Sequence, residues 1–159
     1  MRRKLVIVSV VTAFAAVFLY FSLDQITPRE IENAPEWMDL DTALAQARAE
    51  PSDKLILIDI YEVGCRFCRQ MEREVYPSES IRTLLDNNFY PVKVNGNSGA
   101  DMVFNNETMT EQEFAARMGV SAFPFTVVMD PEGNVVNSRR GYMGVVDLSR
   151  FLNNTLEGG

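Results

Sequence analysis

Leu55-Ile56-Leu57-Ile58-Asp59-Ile60-Tyr61-Glu62-Val63-Gly64-Cys65-Arg66-Phe67-Cys68 holds an apolar run, one acid inside it and both cysteines of the chain. Residues Leu55–Tyr61 read as a buried strand. The cysteines follow it at a spacing of Cys-x-x-Cys. If Cys65 opens a helix, Cys68 lies about one turn later on the same face. The two sulfurs can then close a tight disulfide or stand as neighbouring thiols. The first sulfur sits at the positive end of the helix, which favours its thiolate. This points to redox chemistry. Two other uses of the pair fit less well. A zinc site needs four ligands, and the chain has no histidine and no third cysteine. A purely structural bridge would close too short a loop to constrain the unfolded chain much.

Three further residues bear on a redox site. Asp59 lies six positions before Cys65 in an otherwise apolar strand. Burial there raises a carboxyl pKa, and such a group can exchange protons with Cys68. The other reading is an exposed acid on an alternating strand. Phe123-Pro124-Phe125 enters a later strand, where Pro124 cannot donate to a sheet ladder. Arg66 adjoins Cys65, where its charge favours thiolate; the alternative is a solvated surface cation.

The N-terminus has a different composition. Arg2, Arg3 and Lys4 precede 19 residues, 5–23, that carry no charge. That is close to the roughly 20 needed to cross a bilayer core. Ala13-Phe14-Ala15 resembles a signal-peptide cleavage site, but the apolar run continues past it, which favours an uncleaved anchor. The positive-inside tendency keeps the first residues cytoplasmic and exports the rest, to the periplasm in a bacterium. The exported part holds 22 acidic residues against 12 basic ones, a net of −10, which argues against nucleic acid as a partner. The expected organisation is an anchor over residues 1–23, a Pro-containing linker over 24–35 and one domain over 36–159.

Within the domain, Asp41 is the expected cap of a helix over residues 42–50. A helix over 65–75 follows the first strand, with Phe67 sharing a face with Met71, and Cys68 with Met71. A second helical piece spans 79–85, and a strand spans 89–94. Residues 95–109 read as a polar loop. Thr110-Glu111-Gln112-Glu113 is a capping box opening a helix to about residue 118. Strands near 125–129 and 135–138 flank the turn Asp130-Pro131-Glu132-Gly133-Asn134. A final amphipathic helix over 147–156 places Leu148, Phe151, Leu152 and Leu156 on one stripe. This order predicts an α/β fold: a mixed central sheet, its first strands parallel through helical crossovers and its last two a hairpin, with helices on both faces.

Taken together these residues resemble the thioredoxin superfamily. Residues 57–68 look like its strand, buried acid and active-site motif, and Val120-Ser121-Ala122-Phe123-Pro124 looks like the approach to its cis-proline. Gly133, Gly141 and the last helix fall in family order, and the likeness covers roughly residues 36–156. Gly64 stands where the family usually has Trp, Arg66-Phe67 replaces the common Gly-Pro, and Phe125 replaces the usual Thr. With its tether, the chain is similar to membrane-anchored envelope proteins of the sulfur-oxidation and cytochrome c maturation type.

The resemblance implies a membrane-anchored thiol–disulfide oxidoreductase that reduces disulfides of periplasmic proteins through a Cys65/Cys68 dithiol–disulfide cycle. Cys65 is its nucleophile, Cys68 its resolving thiol and Asp59 its proton carrier. Arg66, Phe67, Phe123, Pro124 and Phe125 form its substrate groove. It implies no metal or cofactor, periplasmic disulfide or thiol proteins as substrates, and a membrane thiol-transfer partner as electron donor. A thiol oxidase is the first alternative, and a redox-inert binding module on the same fold is the second. Copper or haem delivery finds no histidine to support it.

Overall fold

A computed structural model describes residues 2–26, 31–50 and 53–158. The chain divides into two compact units, Met1–Ile31 and Glu32–Gly159. The first holds helix α1, Arg2–Ile26, 25 residues long. Among the described residues no helix is long and apolar enough to cross a membrane. The span expected over 5–23 therefore rests on the sequence. Residues 27–30 of the expected linker lie outside the described residues.

The second unit contains α2 (Leu40–Ala49), β1 (Leu55–Tyr61), α3 (Arg66–Gln70), α4 (Glu79–Asn88), β2 (Phe89–Asn95), β3 (Asp101–Phe104), β4 (Glu107–Thr110), α5 (Glu111–Arg117), β5 (Phe125–Met129), β6 (Val135–Arg140) and α6 (Val145–Glu157). Four strands form one sheet in the order β2-β1-β5-β6. The β1–β2 pair is parallel, joined through helices; β5 runs antiparallel to β1, and β6 to β5. This is the expected mixed sheet with its closing hairpin.

Strand periodicity divides the core between the two faces of the sheet. Ile56, Ile58 and Ile60 of β1, with Tyr90, Val92 and Val94 of β2 and Phe125, Val127 and Met129 of β5, pack with Leu44 of α2 and Phe114 of α5. The alternate positions Leu57, Phe89 and Val128 pack with Met71, Val75, Tyr76, Ile81, Leu85, Leu148 and Leu152. The stripe expected on α6 is thus core, with Leu156 partly buried at its end. Asp59, Lys93 and Thr126 are register partners across β1, β2 and β5. Their parity puts all three on the second face, beneath α3.

Two local expectations are corrected. The cap of α2 is Asp39, whose backbone is extended, and Asp41 lies in the first turn. Its charge there still suits the helix dipole. The expected loop over 95–109 contains an antiparallel hairpin, β3–β4. Asn105 and Asn106 at its tip both take positive φ, 50° and 65°. Such φ values characterise the tight two-residue turns that match strand twist. Phe104 and Met109 then reach the core, with the Phe104 ring edge-on to Phe114 at 5.3 Å. The capping box forms as expected: Thr110 Oγ1 accepts from the Glu113 N–H, and the Glu113 carboxylate accepts from the Thr110 N–H.

Candidate active site

Cys65 is the N-cap of α3, and its Sγ accepts a hydrogen bond from the Cys68 N–H at 3.1 Å. The two sulfurs are joined in a disulfide across a Cα–Cα distance of 5.3 Å. A backbone donor aimed at the first sulfur stabilises negative charge on it once the bond opens. Cys68 is buried and Cys65 is partly exposed, so an incoming partner meets Cys65 first. Gly64, just before it, has φ +91° with open space where a Cβ would stand. Backbone conformation, rather than crowding, therefore favours glycine at the position where the family usually has Trp.

Beyond Gln70 the helix continues as a π-helical turn, Met71–Val75, closed by the Tyr76 N–H donating to the Met71 carbonyl at 2.9 Å. The wider turn lets consecutive residues Val75 and Tyr76 both face the core. Cys68 and Met71 share the buried face as expected. Phe67 does not lie on it: its side chain is 51% exposed, with its ring 5.9 Å from that of Tyr142.

Asp59 is buried to 1% exposure, which excludes the exposed-acid reading. Burial raises its pKa from 3.8 to about 6, against the opposing pull of Lys93 and of the Tyr76 hydroxyl. Lys93 is ion-paired with Glu72 and lies over the rings of Tyr61 and Trp37, 4.7 and 5.6 Å from their centroids. Asp59 Oδ1, Tyr76 Oη and Thr126 Oγ1 are buried without a well-aligned hydrogen-bond partner among the described residues. Tyr76 is itself held neutral: burial first, then the Asp59 charge, pushes its pKa well above its ordinary value.

A cavity of about 280 Å³ is lined by Asp59, Cys68, Glu72, Lys93 and Arg69, among others. It joins the acid to the second cysteine. Its lining is mostly apolar, but the Asp59 carboxyl, Glu72 and Lys93 give it polar groups that a water bridging carboxyl and thiol could use. The arrangement suits proton transfer between Asp59 and Cys68 during disulfide exchange.

The Phe123–Pro124 peptide bond is cis, as the resemblance implies. Phe123 packs its ring onto Gly96: a Cβ built there would meet Phe123 Cε1 at 2.6 Å. Pro124 is buried, and its carbonyl accepts from the Gly141 N–H at 2.8 Å. Phe125 is only 9% exposed and packs on the sheet face opposite Asp59. Strand alternation therefore turns this expected groove residue into the core. Arg66 is exposed beside Cys65. The sequence reading missed Lys93, Glu72 and Tyr76. Lys93 carried a signal, a lone charge within the apolar strand β2. Tyr76 carried none, because its orientation depends on the π-helical turn.

A family model for the thioredoxin-like domain matches residues 40–156. The thiol:disulfide interchange protein DsbD of Cronobacter sakazakii is 27% identical over 121 residues, covering 74% of this chain and 19% of that protein. The chain thus spans about a fifth of the length of this relative. Among solved structures, a thioredoxin from Thermus thermophilus matches with a TM-score of 0.63 and 22% identity, over 79% of this chain and 91% of its own. The DsbH oxidoreductase matches at 0.61 and 19%, over 82% and 90%. The reduced C-terminal domain of Neisseria meningitidis DsbD matches at 0.56 and 18%, over 73% and 93%. At these identities the structures speak for the fold. The Cys-x-x-Cys pair on that fold supports thiol–disulfide oxidoreductase activity, and the chain belongs to the thioredoxin-like domain family.

Proposed function

We propose that this chain is a membrane-anchored thiol–disulfide oxidoreductase whose thioredoxin-like domain faces the periplasm and reduces disulfides in proteins there. The observation that carries the chemistry is the cavity shared by Asp59 and Cys68, behind a Cys65 sulfur already held by a backbone N–H. In the dithiol form, the Cys65 thiolate attacks one sulfur of a substrate disulfide. A mixed disulfide forms, and the other substrate sulfur leaves as a thiolate that takes up a proton. Asp59 accepts the Cys68 proton through the cavity. The Cys68 thiolate then attacks Cys65 Sγ, the second substrate sulfur leaves as a thiolate that takes the proton held by Asp59, and the Cys65–Cys68 disulfide remains. In this reading Arg66, Phe67, Phe123 and Pro124 form the substrate groove, as the family resemblance implies. Exchange with a dithiol of a membrane thiol-transfer partner, which becomes a disulfide, returns two electrons and the Cys68 proton and restores the reduced pair.

The anchor is supported by the uncharged run over residues 5–23, its basic flank, and the exposure of Phe14, Phe18 and Tyr20 on α1. The exchange chemistry is supported by the similarity to a thiol:disulfide interchange protein, and the reducing direction by the resemblance to membrane-tethered envelope proteins. Trapping tests the roles of the cysteines. Cys68→Ser should accumulate a mixed disulfide with substrate, because nothing resolves it, whereas Cys65→Ser should not. Equal trapping by both variants would show the assignment to be wrong.

A further inference from the structure

Arg66, Arg69 and Arg73 follow one another at spacings of three and four residues, which places them along one face of α3 and its π-helical turn. All three are exposed, and none forms an ion pair among the described residues. They line a surface hollow of about 270 Å³ with Gln70 and Glu74, and Glu74 is occupied by a hydrogen bond from Gln70. The stripe begins at the residue after Cys65. Its middle member, Arg69, also lines the cavity that holds Asp59 and Cys68. It lies on a domain, residues 36–159, whose net charge is −8. Exposed apolar side chains sit around the same site: Val63 at 81%, Phe67 at 51% and Tyr142 at 38%.

We propose that this arginine stripe is a docking surface for protein substrates whose disulfide cysteine is flanked by acidic residues. This deepens the oxidoreductase reading above and rests on it. An acidic segment meets a net repulsive domain but finds three exposed arginines in a row beside the reactive sulfur. The field therefore orients as well as attracts it. Arg66 lies nearest the cysteine, and Arg69 and Arg73 extend the contact by about two helical turns, so carboxylates within a few residues of the substrate cysteine are the ones engaged. Val63, Phe67 and Tyr142 cover the apolar part of the same segment.

The test uses the full chain in detergent with dithiothreitol as reductant. The substrates are three disulfide-linked peptides, identical except that the residues flanking the cysteine are Glu, Gln or Lys. The expected order of kcat/KM is Glu above Gln above Lys. The Glu/Gln ratio should be about fivefold at low salt, the scale of two or three exposed ion pairs. It should fall toward one as salt screens the charges. In an Arg69→Gln, Arg73→Gln double variant the ratio should fall toward one at low salt. Equal rates on all three peptides, or a preference for Lys, overturn the docking surface while leaving the oxidoreductase reading standing. Reduction of none overturns both. If the stripe instead binds vesicles of anionic lipid, in a way the double variant abolishes, and shows no peptide preference, it belongs to a membrane surface and the proposal fails. The peptide order and its salt dependence are read on the unsubstituted chain, so they hold even if the variant folds poorly.

Discussion

Replacing Asp59 with asparagine keeps the shape of the side chain and removes its ionisation. Burial raises the Asp59 pKa from 3.8 to about 6. Between those values the folded chain holds a proton that the unfolded chain has lost, so stability falls as pH rises through that window. Below it both states are protonated, and the group contributes nothing. Above it both are ionised, and the full penalty applies. A difference of about two pH units corresponds to about 3 kcal/mol. The introduced amide has its own cost of about 1–3 kcal/mol if it stays unpaired, but that cost is the same at every pH. The informative quantity is therefore the change in the stability difference between the variant and the parent chain from pH 4 to pH 8. The Asp59→Asn variant should gain about 2–3 kcal/mol relative to the parent across that range, slightly below the full value because the unfolded Asp is already partly ionised at pH 4. Urea unfolding of the oxidised protein at the two pH values measures it, and groups common to both proteins cancel. A stability difference that stays constant with pH would refute the claim that burial governs this carboxyl. The same variant should slow the Cys68 step by about 10²-fold or more, the lower end of what a positioned proton carrier supplies.

Tyr76→Phe removes a buried hydroxyl that lacks a well-aligned partner. It should change stability by no more than about 1 kcal/mol. It should also move the acidic inflection of the pH–rate profile upward, because the hydroxyl helps hold the Asp59 pKa down; a downward shift would contradict that role. For the anchor, the full-length chain should sediment with membranes and resist carbonate extraction. A soluble mature form beginning near Ala16 would show a cleaved signal instead.

Much of this structure was legible in the sequence because the decisive segments are strongly patterned. The run Leu55–Tyr61 has few competing readings, and the capping box at Thr110 and Glu113 fixes a helix start within one residue. Asp59 stood out because a lone acid in such a run demands an explanation. The hairpin over 101–110 was hidden because its strands are only four residues each and half of their residues are polar. Phe104 and Met109 are its buried core residues, with Met102 partly buried against the same core, and the Asn105-Asn106 turn is less distinctive than Asn-Gly. Phe125 was placed in the groove by its neighbour Pro124, although strand parity sends it to the opposite face. The surroundings of Asp59 were the least legible. Lys93 reaches it through sheet register, and Tyr76 through the π-helical turn; neither can be read from local spacing.

The reduction potential of the Cys65–Cys68 couple tests the reducing function most directly. A thioredoxin-like reductant sits near −270 mV and a strong oxidant near −120 mV, a gap of about 7 kcal/mol for two electrons. The exposed charge of Arg66 favours the thiolate and raises the potential, but a surface charge contributes about 1 kcal/mol or less, roughly 20 mV. Equilibration with dithiothreitol or glutathione should therefore give a value below about −200 mV. A value above about −150 mV would contradict the reductase account and make this chain a thiol oxidase.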